Sequence, residues 1–328
     1  MRLLVALGGN ALLERGEVPD ADIQVKHVVA AVESLAPLAR DHDLVITHGN
    51  GPQVGLLARE STSDPDLSHP YPFDVLGAQT QGMIGYLLLQ AFENALPGQE
   101  VVSLICQTLV AADDPAFGEP TKFVGPIYGR EEGERMARLK NWHVRPDGTS
   151  WRRVVASPEP IEVVEMATVR MLLADGAVVI CAGGGGIPVC RGEDGHLRGV
   201  EAVVDKDLTA ALLARDLGAD ALLLLTDVPN VEIGFGTDGA RPIGKTSPEA
   251  LRAQSFPSGS MGPKVEAACR FVDSTGNRAM IGRLEDATGL LEETRGTIVK
   301  PADCSSGDNP LSPWFRTDEP GTAESTTT

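Results

Sequence analysis

Val5-Ala6-Leu7-Gly8-Gly9-Asn10-Ala11-Leu12 sets the reading of this chain, because Leu44-Val45-Ile46-Thr47-His48-Gly49-Asn50-Gly51-Pro52-Gln53 repeats its design further on. Each stretch is a short apolar run, then a Gly-rich turn carrying Asn, then residues able to open a helix. Such runs read as buried parallel strands. A Gly turn feeding a helix start aims backbone N–H groups and the positive end of the helix dipole at one spot, where an anion can sit. Two such turns at the carboxyl ends of neighbouring strands make one anion cradle. Taken singly, each is equally a βα connection in which Gly serves backbone geometry alone. The pair, both Gly-Asn, points to a site.

The 328 residues are 42% hydrophobic and 23% charged, which describes a globular chain able to bury a large core. Its formal charge of −18 argues against a nucleic-acid or anionic-membrane surface. An anionic substrate must then be drawn in by local positive charge, which makes the lysines candidate contacts. No apolar run reaches membrane-spanning length, and the N-terminus lacks a basic segment before an apolar one. Cys106, Cys181, Cys190, Cys269 and Cys304 are odd in number and never spaced C-x-x-C, as expected for thiols in a reducing compartment. The expected location is the cytoplasm.

Residues 23–40 carry Val25, Val28, Val29, Val32 and Leu35 on one helical stripe. A strand at 44–47, a polar Pro-rich loop at 61–72, a helix at 75–95 and a strand at 101–106 follow. Strands alternating with helices imply a mainly parallel sheet covered on both faces. Residues 113–150 break the rhythm with prolines, glycines and a charged helical patch, and read as a small insertion acting as a lid. Alternation then resumes with a helix at 161–174, strands at 177–181 and 221–225, and a helix from Lys206 to about Leu217. A helix opens near Lys264, and short strands at 279–281 and 297–299 close the domain. The expected organisation is one α/β domain over residues 1–300, the insertion at 113–150 within it, and a disordered tail at 301–328, where Ser, Thr, Asp, Gly and Pro dominate.

Gly239-Ala240-Arg241-Pro242-Ile243-Gly244-Lys245-Thr246 satisfies the expression of a phosphate loop, but it follows a turn-rich polar stretch instead of a buried strand, and is rejected. Gly183 to Gly186 do follow a strand, yet Pro188 and the hairpin after it exclude a dinucleotide fingerprint. Backbone approach to a phosphate and a tight strand exit both remain open for them. Asp205-Lys206-Asp207 opens a helix, where Asp is an ordinary cap. A lysine at that positive end is unfavourable unless an anion is near. Lys264, behind Met261-Gly262-Pro263, repeats the arrangement, although taken alone it reads as a surface lysine. Lys122, in the insertion, is either a solvated loop charge or a lysine that reaches over a closed substrate. No histidine has metal-ligand spacing, and His48 reads as structural.

These blocks together resemble the carbamate kinases of the amino-acid kinase superfamily. The resemblance is carried by residues 6–12, 47–55, 79–86, Asp114-Pro115-Ala116-Phe117, Pro120-Thr121-Lys122, 151–158, 183–188, 199–207, 225–231 and 259–267, collinear over about residues 1–300. It implies a three-layer αβα sandwich around a mainly parallel sheet, with a small inserted lid subdomain, assembled as a homodimer. The implied reaction is reversible phosphoryl transfer between ATP and carbamate with Mg²⁺, often run from carbamoyl phosphate and ADP to ATP, in a setting of arginine metabolism. By position, Gly8, Gly9, Asn10, Gly49, Asn50 and Gly51 would form the carbamate and phosphoryl pocket. Lys206 and Lys264 would contact the phosphates, Asp207 would hold the lysines, and Lys122 would come in from the lid. Thr226, Asp227 and Val228, with Met261 and Gly262, would line the nucleotide site, and Glu232 would bear on nucleotide preference. Other superfamily members carry a lysine at the first Gly turn, where this chain has Leu7-Gly8-Gly9-Asn10 and Lys122 would substitute.

Phosphoryl transfer to an acyl oxygen needs in-line positioning and cations spread over the transferring oxygens, which three lysines from separate segments supply. A kinase for a larger carboxylate would need a roomier pocket with a charged anchor. Retention of Lys122, Lys206, Asp207 and Lys264 together speaks against a non-catalytic binder, which could lose the lid lysine without penalty.

Overall fold

The computed structural model describes residues 1–302 except Arg15, Ser258 and Ser260, so the expected tail lies, from residue 303 on, outside the described residues. The chain opens with β1 (Arg2–Leu7), α1 (Ala21–Asp41), β2 (Asp43–His48), α2 (Gly51–Ser63), α3 (Phe73–Ala95) and β3 (Val101–Ser103). A short β4 (Gln107–Leu109) leads to β5 (Lys122–Tyr128), α4 (Arg130–Lys140), β6 (His143–Asp147) and β7 (Ser150–Val155). Then come β8 (Glu162–Val163), α5 (Met166–Ala174), β9 (Val178–Ile180), the hairpin β10 (Ile187–Arg191) and β11 (Leu197–Gly199), α6 (Lys206–Leu217) and β12 (Ala221–Thr226). A small hairpin of β13 (Glu232–Ile233) and β14 (Arg241–Pro242) precedes β15 (Lys245–Thr246) and α7 (Pro248–Arg252). Finally α8 (Met261–Thr275), β16 (Arg278–Arg283), α9 (Ala287–Leu291) and β17 (Thr297–Val299) complete the described chain.

Eight strands form the central sheet in the order β15-β17-β16-β12-β1-β2-β9-β3. All its pairs are parallel except β16 with β17. Side chains of a strand alternate between faces, and β1 divides accordingly. Leu4 and Ala6 join a core with residues of α5, α6 and α8, whereas Leu3, Val5 and Leu7 join one with residues of α1, α3 and α9. That is the αβα sandwich. Both faces being covered explains why the strands are continuous apolar runs.

The inserted unit extends past the expected boundary at 150. β7 is the central strand of its three-stranded antiparallel sheet, between β5 and β6, so the sheet cannot end before Val155. A satellite core of Val54, Phe73, Leu76, Val124 and Val155 seats this sheet on α2 and α3. Arg153 is stacked between the rings of Trp142 and Phe73, with its guanidinium 4.4 and 4.9 Å from the centroids. The helix expected from residue 161 begins only at Met166. Glu162 and Val163 pair with β4 instead, and the Glu165 carboxylate accepts the Gln107 N–H at 2.8 Å.

Candidate active site

Parallel strands put their carboxyl ends on one edge of a sheet, and ligands of open α/β folds bind there. In this chain that edge gathers the turns after β1, β2, β9 and β12. β1 and β2 pair in register through Leu7 and His48, so Gly8-Gly9 and Gly49 emerge side by side. A Cβ on Gly49 would lie 2.8 Å from the Gly9 nitrogen and 3.4 Å from Lys206 Cε. No other residue fits at that contact. The two Gly-Asn turns of the sequence are therefore packed against each other, with the Lys206 stem beside them.

Gly51 opens α2, with Pro52 in its first turn, so the cradle does lie at a helix N-terminus. The two asparagines differ in use. Asn10 donates to Asp227 across 2.8 Å and joins the first turn to the loop after β12. Asn50 sends its side-chain amide to Thr80 at 2.9 Å, beside Gly184. What Asn50 offers the cradle is thus its backbone.

Gly183 to Gly186 form a tight strand exit. Gly184, Gly185 and Gly186 have φ of +67°, +92° and +85°, and Cβ atoms on them would run into Asn50, Val204 and Thr108. The turn packs under the site and fixes the neighbours that make it. Lys245, from the rejected phosphate-loop match, lies on the outermost strand β15 and pairs with Glu293 at 3.3 Å.

Lys206 is the first residue of α6, and Lys264 lies in the first turn of α8. Both are brought onto Asp207. Lys206 Nζ donates to one carboxylate oxygen at 2.5 Å and Lys264 Nζ to the other at 2.9 Å. Lys122 Nζ donates to Asp205 at 2.6 Å. Three ammonium groups thus meet two carboxylates, a net positive spot in a chain of charge −18. Asp205 itself was legible in the sequence only as a helix cap, and the structure makes it the partner of Lys122.

Lys122 lies in the inserted sheet. It begins β5 and pairs with Val155, the last residue of β7, so it lies at the root of the insertion, where both chain ends rejoin the body. Of the expected nucleotide-site residues, Thr226 ends β12 and its hydroxyl donates to Asp227 at 3.1 Å. Asp227 and Val228 follow in the same loop, on the edge that holds the Gly turns. Met261 and Gly262 open α8, where the Gly262 N–H donates to Pro257 at 2.9 Å. Glu232 is a half-buried residue of the β13–β14 hairpin.

Burial lowers the Lys206 ammonium to about 8, with Lys264 adding to the fall and Asp207 opposing it. Burial also works against the charge of Lys264, but Asp207 outweighs it and the pKa is raised. For Asp207 itself, burial would raise the carboxyl, yet the two lysines hold it well below the usual carboxylate range. His48 is fully buried under Gly183, with Nδ1 2.9 Å from the Gly49 carbonyl. Burial brings it from 6.5 down to about 4, with Lys206 helping.

A profile of the Amino acid kinase family matches residues 1–283. The carbamate kinase of Rhizobium meliloti is 51% identical over 303 residues, covering 91% of this chain and 93% of the relative. That of Pyrococcus furiosus is 45% identical, covering 92% of this chain and 99% of the relative. Among solved structures, carbamate kinase from Giardia lamblia bound to AMP-PNP superposes with a TM-score of 0.84 at 38% identity, over 92% of this chain and 98% of that one.

The neutral state of His48 has a measurable consequence. Its folded pKa of about 4 lies below the unfolded 6.5, so its contribution to stability is present above pH 6.5 and lost as pH falls toward 4. The full contribution is on the order of 3 kcal/mol. Urea midpoints measured between pH 7 and 4.5 are expected to fall less steeply for His48→Gln than for the wild type. Equal slopes would remove His48 as the source.

Proposed function

From the premise that the chain belongs to the amino acid kinase family, we propose that it is an ATP:carbamate phosphotransferase. The observation that carries this is the cluster of Lys122, Lys206 and Lys264 on Asp205 and Asp207, beside two abutting Gly turns. Relatives that match about nine-tenths of the chain are carbamate kinases.

In the forward direction a carbamate oxygen attacks the γ-phosphorus of ATP in line. The bond to the bridging oxygen breaks, and its electron pair leaves with ADP. Carbamate is already an anion, so no base need take a proton and no covalent enzyme intermediate is needed. Gly8, Gly9, Asn10, Gly49, Asn50 and Gly51 hold the acceptor and the transferring group, largely through backbone N–H at the start of α2. Lys206 and Lys264 spread their charge over the phosphate oxygens, with Asp207 fixing both, and Lys122 completes the set. Thr226, Asp227, Val228, Met261 and Gly262 flank the nucleotide. In reverse, carbamoyl phosphate and ADP give ATP and carbamate, which decomposes to ammonia and CO₂.

Among the described residues no cluster of three or more His, Cys, Asp or Glu side chains can cage a metal, and Asp205 and Asp207 are held by lysines. This donor set fits Mg²⁺ carried in by the nucleotide phosphates. Bound there, the ion neutralises charge on the phosphate oxygens.

The protein acts as a homodimer in this reading. Val25 and Val29 of α1 and Met83 and Tyr86 of the neighbouring α3 are exposed apolar side chains suited to a second copy. No helix of the described residues is long and apolar enough to cross a membrane. A cytoplasmic location agrees with the free thiols of Cys106, Cys181, Cys190 and Cys269. A place in arginine metabolism rests on the family resemblance alone.

ATP formation from ADP and carbamoyl phosphate with Mg²⁺ is expected, and Lys206→Ala is expected to abolish it. A folded, nucleotide-binding protein without turnover, or one active only with acetyl phosphate, would overturn the reading. Because Lys206 titrates near 8, its charge fades above that pH, and the KM for carbamoyl phosphate is expected to rise through pH 8 to 9. A flat KM would mean that Lys206 does not meet the phosphate. Light scattering is expected to give twice the chain mass of 34.6 kDa for the wild type and a monomer for Met83→Glu/Tyr86→Glu.

A further inference from the structure

Asp205 has its two carboxylate oxygens committed to different tasks. Oδ1 accepts the backbone N–H of Asp207 at 2.9 Å and of Leu208 at 3.3 Å, capping α6. Oδ2 accepts Lys122 Nζ at 2.6 Å. The residue is 8% exposed and its backbone is fixed from behind. Its carbonyl accepts the Thr209 N–H at 3.0 Å, and the Thr209 hydroxyl reaches the Gly185 carbonyl at 3.0 Å. A Cβ on Gly185 would lie 2.5 Å from the Val204 carbonyl oxygen, so the turn after β9 abuts the residue before Asp205.

The segment leading to Asp205 is also what the root of the insertion hangs from. Ala156 bridges Ala202, and the Val203 N–H donates to the Ala156 carbonyl at 2.9 Å. Arg153 of β7 donates to Glu201 at 2.8 Å, and the other oxygen of Glu201 accepts the N–H of Phe73 at the start of α3. Lys122 is thereby held to the body at the chain ends of the insertion, not by the segment farthest from them.

We propose that Asp205 is a positioning residue: one carboxylate fixes the Lys122 ammonium to the same helix start that carries Lys206 and Asp207. The three cations then keep one geometry whatever the outer part of the insertion does. The Asp205 contact pre-organises Lys122, so its placement does not depend on a movement of the insertion. The inference rests on the phosphotransferase reading and concerns how one of its lysines is placed.

A double-mutant cycle on the full chain tests it, with ATP formation, ADP affinity by calorimetry and thermal unfolding measured for wild type, Asp205→Asn, Lys122→Ala and the double variant. Asn caps a helix about as well as Asp but lacks the charge that holds Lys122. Asp205→Asn is expected to lower kcat by about 10²-fold, as a misplaced catalytic group does, with Tm and ADP affinity near wild type. Added to Lys122→Ala it is expected to cost nothing further, because its effect passes through Lys122. Additive losses, or an unimpaired Asp205→Asn beside an impaired Lys122→Ala, would overturn the proposal. Should Asp205→Asn fail to fold, Asp205→Ser keeps a capping oxygen and takes its place in the cycle. A wild type that makes no ATP from carbamoyl phosphate would defeat the underlying reading instead.

Discussion

Two ammonium groups cannot be buried side by side without a carboxylate between them, and Asp207 meets that constraint with one oxygen for Lys206 and one for Lys264. Removing one partner of a buried ion pair leaves an uncompensated charge at a cost of about 3–5 kcal/mol. Apolar residues of equal volume would often serve stability as well or better, so such a triad is a weak means of holding a fold together. Its position explains it. Lys206 and Lys264 lie at the starts of α6 and α8, which puts both cations where helix dipoles already favour an anion.

The Gly turns follow from the same requirement. A backbone cradle can share an anion with Lys206 only if the chain passes close to its stem, and Gly49 does so because it has no Cβ to meet Gly9. Gly184 and Gly185 act one layer below, leaving room for Asn50 and for the chain before Asp205. The run of four glycines is thus a packing device that sets the heights of two site segments, and its φ values follow from that demand.

Apolar periodicity carried the fold, since both faces of the sheet are covered and each strand reads as an unbroken apolar run. The lysines were legible because Lys206 and Lys264 sit at helix starts, where a cation is out of place without an anion. The pairing of Lys122 with Asp205 was not, for it joins segments 83 residues apart and leaves no local pattern. Nor was the reach of the insertion to Val155. Trp151-Arg152-Arg153-Val154-Val155 reads as a returning strand, and only its pairing with β5 and β6 on both sides assigns it to the inserted sheet. The start of α5 failed for a similar reason, as Glu162 and Val163 had a strand partner in β4.

The choice among small acyl acceptors turns on what the cradle lacks. A kinase acting on an amino acid must grip a side chain or an ammonium group, which calls for space and an available carboxylate. Here Asp207 is taken by two lysines, Asp205 by Lys122 and the cap of α6, and Asp227 accepts the Asn10 amide. Gly9 and Gly49 abut so closely that a Cβ on Gly49 would lie 2.8 Å from the Gly9 nitrogen. Donors at the cradle are backbone N–H and ammonium groups, which recognise oxygens. An acceptor that is little more than its own carboxylate satisfies such a site, and carbamate, with an amino group in place of a side chain, is one. The acidic remainder of the chain opposes this only at a distance. Exposed charges fade beyond about 8 Å at physiological salt, whereas the buried lysines act at contact range in a medium that screens them far less.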